Sequence, residues 1–175
     1  MNKIEGLKDK IVSDFKKAQK EFELYEKFYL GLSEKARTYL RCQSKKYKKT
    51  LLAIQEVILP SVKRNCPTCK IQCCKLYTPE PSIYIAGSMG GFNCVDYLLI
   101  RCDTILPNAC YENAEKNLCP FWRDGCILPL ACRSYLCIQY FCDKLKEELD
   151  MKLISKYLEK ARYVIDNFSI QECMA

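Results

Sequence analysis

The sequence predicts a mainly α protein: a small helical bundle, built from an N-terminal helical hairpin and C-terminal helices, around a central cysteine-rich, loop-rich metal-binding module. Three observations predict it. Apolar residues recur at steps of three and four near both ends of the chain, the period of a helix that buries one face. Of the 14 cysteines, 12 fall between positions 66 and 142. That same stretch is dense in proline and glycine, which favours turns over long regular elements. The expected division is 1–63 for the hairpin, 64–142 for the module and 143–175 for the C-terminal helical part.

The first helix is read from Ile4, Leu7, Ile11, Phe15, Ala18, Phe22, Tyr25 and the Phe28/Tyr29 pair. Gly31 interrupts the pattern, and Ser33 is placed to cap a second helix. There Ala36, Leu40, Tyr47, Leu51, Ile54 and Ile58 form the stripe, and Pro60 is expected to end it. A short break between two long helices favours an antiparallel pair. In the middle, Ser82–Ile85 reads as a short strand and 93–106 as a short helix. Helical sequence resumes over 132–148, and Asp150 is expected to cap a further helix. The last face comprises Leu145, Leu149, Leu153, Tyr157, Leu158, Ala161, Ile165 and Phe168.

Charge follows the same division. The chain carries 28 basic and 21 acidic residues, a net charge of +7. Residues 1–65 hold 16 of the basic and 8 of the acidic ones, whereas 66–142 balance at 6 each. No run of apolar residues is long enough for a membrane span, and the N-terminal residues lack the apolar stretch of a secretory signal. The expected location is therefore the cytoplasm, where thiols stay reduced and clustered cysteines indicate metal or redox chemistry rather than disulfides. With no histidine in the chain, a metal site must rely on sulfur, and soft thiolate ligation selects iron–sulfur clusters, zinc or copper(I) over magnesium and calcium.

Two groups of four cysteines carry the candidate site: Cys66, Cys69, Cys73 and Cys74, then Cys119, Cys126, Cys132 and Cys137. A C-x2-C turn folds its backbone back so that two sulfurs reach one centre. A four-thiolate zinc or four-iron centre has a charge of about −2, so it needs donors or cations close by. Arg133, directly after Cys132 in an apolar neighbourhood, is the candidate for that role. Cys94, Cys102, Cys110 and Cys142 read equally well as further ligands or as small buried apolar residues.

The first motif, with Leu118-Cys119-Pro120-Phe121-Trp122, Gly125-Cys126 and Cys132-Arg133-Ser134-Tyr135-Leu136-Cys137, resembles the YkgJ-type cysteine-cluster family. The likeness covers about 64–140 and is that of a divergent member: three residues, not two, precede Cys73-Cys74. The resemblance implies zinc or iron chelation, in some members described as an iron–sulfur oxidoreductase, and adds no substrate. Structural zinc usually shows two close cysteine pairs, and the wider second quartet fits that poorly. There is no ferredoxin-type cysteine run either, but the excess of cysteine, the absence of histidine and the family resemblance favour an iron–sulfur centre, with zinc the alternative, and a protein redox partner is expected with the former.

Other signals are weaker. Cys66-Pro67-Thr68-Cys69 has a thioredoxin-like spacing without the βαβ context. Gly87–Gly91 lacks the residues of a phosphate loop. Lys45, Lys46, Lys48 and Lys49 beside Tyr47 read as a solvated helix face, so nucleic acid is not an expected partner. No acid–base pair or nucleophile identifies a reaction.

Overall fold

The structure, a computed structural model, describes residues 3–65, 94–110, 112–113, 119, 121, 123, 126–139, 141 and 143–174. Its elements are α1 (Lys3–Leu30), α2 (Glu34–Asn65), α3 (Cys94–Arg101), a 3-10 turn (Leu130–Cys132), α4 (Tyr135–Gln139), α5 (Asp143–Glu148), α6 (Met151–Asp166) and α7 (Ile170–Met174). Among the described residues there is no β-strand, and the mainly helical bundle is as the apolar period predicts. The strand expected at Ser82–Ile85 and the first cysteine quartet lie outside the described residues.

Helix α2 is the spine, against which α3, the 3-10 turn, α4, α5, α6 and α7 all pack. The period accounts for this: Ala36, Leu40, Tyr47, Leu51, Ile54 and Ile58 are all buried, four of them completely. Ser33 caps the helix as expected, its hydroxyl accepting from the Ala36 amide at 3.2 Å. Pro60, however, does not end it, and α2 runs on to Asn65. Pro60 lies on the exposed side, where the carbonyl it leaves without an amide partner can turn to water. The continuation is secured instead at Asn65, whose buried side-chain amide donates to the Ser61 carbonyl at 3.0 Å and to Glu148 at 2.9 Å.

Helix α1 lays Phe22, Tyr25, Phe28 and Tyr29 against the core and meets α3. The Phe22 ring stands edge-on to Tyr97 at 4.6 Å. Glu26 accepts from the Tyr97 hydroxyl and from Arg101 Nε and Nη2, at 3.0 and 2.9 Å for the two nitrogens. The Arg101 guanidinium also lies over the Tyr29 ring, 4.7 Å from its centre. Desolvation works against the Glu26 carboxylate, but the Arg101 and Tyr97 hydrogen bonds prevail and hold its pKa below the usual range. Glu26→Ala strands Tyr97 and Arg101 without their acceptor. It is expected to cost about 1–3 kcal/mol and to speed amide exchange selectively in α1, as hydrogen-exchange mass spectrometry would show.

α3 is shorter than the span 93–106 predicts. It stops at Arg101 because Asp103 adopts a left-handed conformation, φ 52°, a geometry that ends rather than extends a right-handed helix. Asp150 caps α6 as predicted, accepting from the Leu153 amide at 3.0 Å. The face of α6 differs by one position from the reading: Ile154 is fully buried while Leu153 is 36% exposed. The break at 149–150 restarts the helical phase, so the spacing carried across it from Leu149 no longer holds.

Candidate metal centre

Ser134, fully buried, opens α4. Its hydroxyl accepts from the Cys137 amide at 3.3 Å and lies 3.1 Å from the Cys137 sulfur, to which it can donate. Asp96 of α3 supplies a second anchor for the same turn. Its carboxylate accepts from the Tyr135 amide at 2.9 Å and from the Tyr47 hydroxyl at 2.5 Å. Three helices thus converge on one buried carboxyl, and an anion at a helix N-terminus is favoured there by the free amides. Burial nonetheless dominates: desolvation raises the Asp96 pKa from 3.8 to about 7, against the lowering effect of the two hydrogen bonds.

Cys137 is the centre of this arrangement. The residue is open to solvent, yet its thiol lies among enough protein for desolvation to push its pKa up, with Ser134 acting in the opposite sense. Cys126 and Asp96 act on the Cys137 thiol as neighbouring negative charges, and Arg133 as a positive one. Two thiols of the second quartet and its expected cation are therefore electrostatic neighbours. The Arg133 Nε is buried and has no hydrogen-bond partner among the described residues, a position that a sulfur or another anion would satisfy.

Cys132 points elsewhere. It sits in the 3-10 turn, 3% exposed, and its thiol lies near the Thr104 side chain, which lowers its pKa against the effect of burial. The same Thr104 hydroxyl accepts from Lys48 Nζ at 2.7 Å, and the Cys102 carbonyl accepts from that ammonium at 2.5 Å. The buried Cys102 thiol lies near Ser44, whose hydroxyl donates to the Leu99 carbonyl at 2.6 Å. Desolvation raises both thiols and lowers Lys48, while the mutual attraction of Lys48 and the two sulfurs opposes those shifts. Cys119 is half-buried, with its carbonyl accepting from Asn113 Nδ2 at 2.8 Å. Phe121, fully buried, joins this segment to the core through Phe22, 6.3 Å away between ring centres.

The second quartet is thus distributed: Cys126 with Cys137, Cys132 with Cys102 and Lys48, and Cys119 on the Phe121 segment. Among the described residues no group of three or more cysteines and carboxylates could hold a metal ion. Cys126 and Arg133 act electrostatically on the Cys137 thiol, and two thiolates beside a guanidinium are the donor chemistry that a soft metal takes. The first quartet, Cys66, Cys69, Cys73 and Cys74, lies outside the described residues. Cys42 is exposed, Cys173 is buried, and Cys94 and Cys110 are half-buried.

Asp96 and Lys48 are the site residues that the sequence reading missed. A signal existed for Asp96: one acid followed by Tyr97-Leu98-Leu99-Ile100 on a short apolar helix has to be partnered if that helix is buried. Lys48 sits inside a basic run and carried no such mark. Among the described residues no helix is long and apolar enough to cross a membrane. No protein-family model matches the chain, nor does any curated protein or solved structure. The likeness to the cysteine-cluster family rests on the motifs themselves.

Proposed function

We propose that this chain is a cysteine-ligated metal-binding protein, holding an iron–sulfur centre that serves electron transfer or metal handling. The observation that carries the reading is the Arg133 Nε, buried and without a partner among the described residues, in electrostatic reach of the Cys137 thiol, on which Cys126 also acts. A cluster with four thiolates is anionic, and a guanidinium held close offsets that charge. Cys66, Cys69, Cys73 and Cys74 are the expected source of the remaining thiolates, with Cys119 and Cys132 as the other members of the sequence pattern. The second reading is a structural zinc site that stabilises a helical interaction protein. It is favoured by the way Ser134 and Asp96 fix the Cys137 turn rigidly, as a closed structural site requires.

Protein purified without oxygen is expected to be coloured and to contain iron and acid-labile sulfide. Cys126→Ser and Cys137→Ser should each lower the bound metal severalfold, whereas Cys42→Ser, at an exposed thiol outside the site, should leave it unchanged. Colourless protein with stoichiometric zinc decides for the second reading, and protein that retains neither metal overturns both.

A further inference from the structure

A groove of about 510 Å³ runs between α2 and α6, lined by Thr50, Lys156, Glu159, Lys160, Tyr163 and Val164. It lies outside the thiol centre. Lys152, Lys156 and Lys160 recur every four residues on α6 and are all exposed, which sets successive ammonium groups about 6 Å apart along one helix face. Lys46, also exposed, extends the opposite wall, one turn before Thr50, whose hydroxyl donates to the Lys46 carbonyl at 3.0 Å. None of these four lysines forms an ion pair among the described residues, while Arg41, Arg64, Arg101, Lys146 and Arg162 all do. At the groove's edge the Tyr163 ring is 68% exposed, costly for an aromatic side chain unless something covers it.

We propose that this groove binds single-stranded nucleic acid, with the lysines following the phosphates and Tyr163 stacking on a base. A row of cations outside any ion pair, of which Lys160 lies over the Tyr157 ring at 5.5 Å, matches a chain of regularly spaced anions, and an exposed aromatic ring supplies the sequence-tolerant platform such proteins use. The exposed lining residues leave the groove open along its length, which suits a continuous strand better than an enclosed mononucleotide. Glu159 is the one acidic group in the lining, so the affinity rests on the surrounding lysines and is modest. The basic run of α2 is not the contact suggested by its own tyrosine, because Tyr47 is completely buried on Asp96. The stacking ring comes from α6 instead.

The test is fluorescence anisotropy with a labelled oligothymidylate of about 15 nucleotides. Binding should weaken with salt, with a log–log slope of about −0.7 per phosphate contacted. Lys156→Glu/Lys160→Glu should weaken it at least about tenfold and make the slope shallower by about 1.4, whereas Lys16→Glu/Lys35→Glu, with the same charge change on exposed sites elsewhere, should change it far less. Tyr163→Ala should weaken binding about tenfold and Tyr163→Phe should restore it. All these positions are exposed, so each variant is expected to melt as the parent does. An absence of binding, an equal loss in the two double variants, or no effect of Tyr163→Ala overturns the proposal. So does equal binding of polyglutamate, which would make the face a general polyanion surface. A free mononucleotide that binds as tightly as the strand also overturns it, in favour of a small-ligand pocket.

Discussion

Asp96→Ala is expected to destabilise the protein by about 2–5 kcal/mol, because it leaves two buried donors, the Tyr47 hydroxyl and the Tyr135 amide, without their acceptor. The loss falls at the junction of α2, α3 and α4, so Cys137 loses its fixed position, and on the proposed metal-binding reading metal retention should fall as well. Denaturant melts and metal content measure the two effects separately. Asp96→Asn keeps an acceptor for Tyr47 but offers its amide group, a donor, toward the Tyr135 N–H. It should cost less than the alanine variant and still fold.

The asparagine variant also isolates a pH effect. Asp96 has a folded pKa of about 7, above its ordinary 3.8. The native state therefore holds a proton that the unfolded chain has released. Its contribution to stability is complete below about pH 4 and is lost as pH rises through about 7. Between about pH 5 and pH 8 the parent should lose at most about 3 kcal/mol on this account, and Asp96→Asn should lack that slope. Glu26 acts with the opposite sign, since its pKa is depressed: its contribution is present above the unfolded value and disappears on acidification. An unchanged slope in Asp96→Asn would show that Asp96 is not the titrating group.

What the sequence made legible was periodic or local. The α2 stripe repeats one apolar face over many turns, and all six of its residues are buried. Ser33 and Asp150 are local caps and were readable for that reason. Pro60 misled because the cost of proline depends on which side of a helix faces water, and a one-dimensional pattern does not fix that until the packing is known. The cysteines show the same difficulty. Spacing makes Cys119, Cys126, Cys132 and Cys137 look like one set, but the rotation of each side chain is decided by distant partners. Thr104 and Lys48 hold the surroundings of Cys132, and Ser134 and Asp96 those of Cys137. Lys48, Asp96 and Thr104 come from α2, α3 and the turn after it, far from these cysteines in sequence, while Ser134 alone is local to Cys137.

The other large effect is expected from Phe121→Ala. Phe121, which lies between Cys119 and Cys126 in the sequence, is completely buried, and its ring meets Phe22 of α1. Its carbonyl also accepts from the Ile127 amide at 3.0 Å, closing the turn that precedes Cys126's neighbour. Truncation to alanine removes a full aromatic ring from the core and should cost about 3–5 kcal/mol. The surroundings can collapse only if α1 shifts, and α1 is held through Glu26 to Tyr97 and Arg101, so much of the cavity should persist. On the proposed metal-binding reading, in which Cys119 and Cys126 are ligands, bound metal should fall too. Phe121→Leu separates the two consequences: it refills most of the volume, so stability should largely return, and metal content with it if the anchor acts by packing. A Phe121→Ala protein that melts like the parent would mean that the core does not hold the segment. One that is destabilised yet keeps its full metal content would mean that the centre is assembled without it.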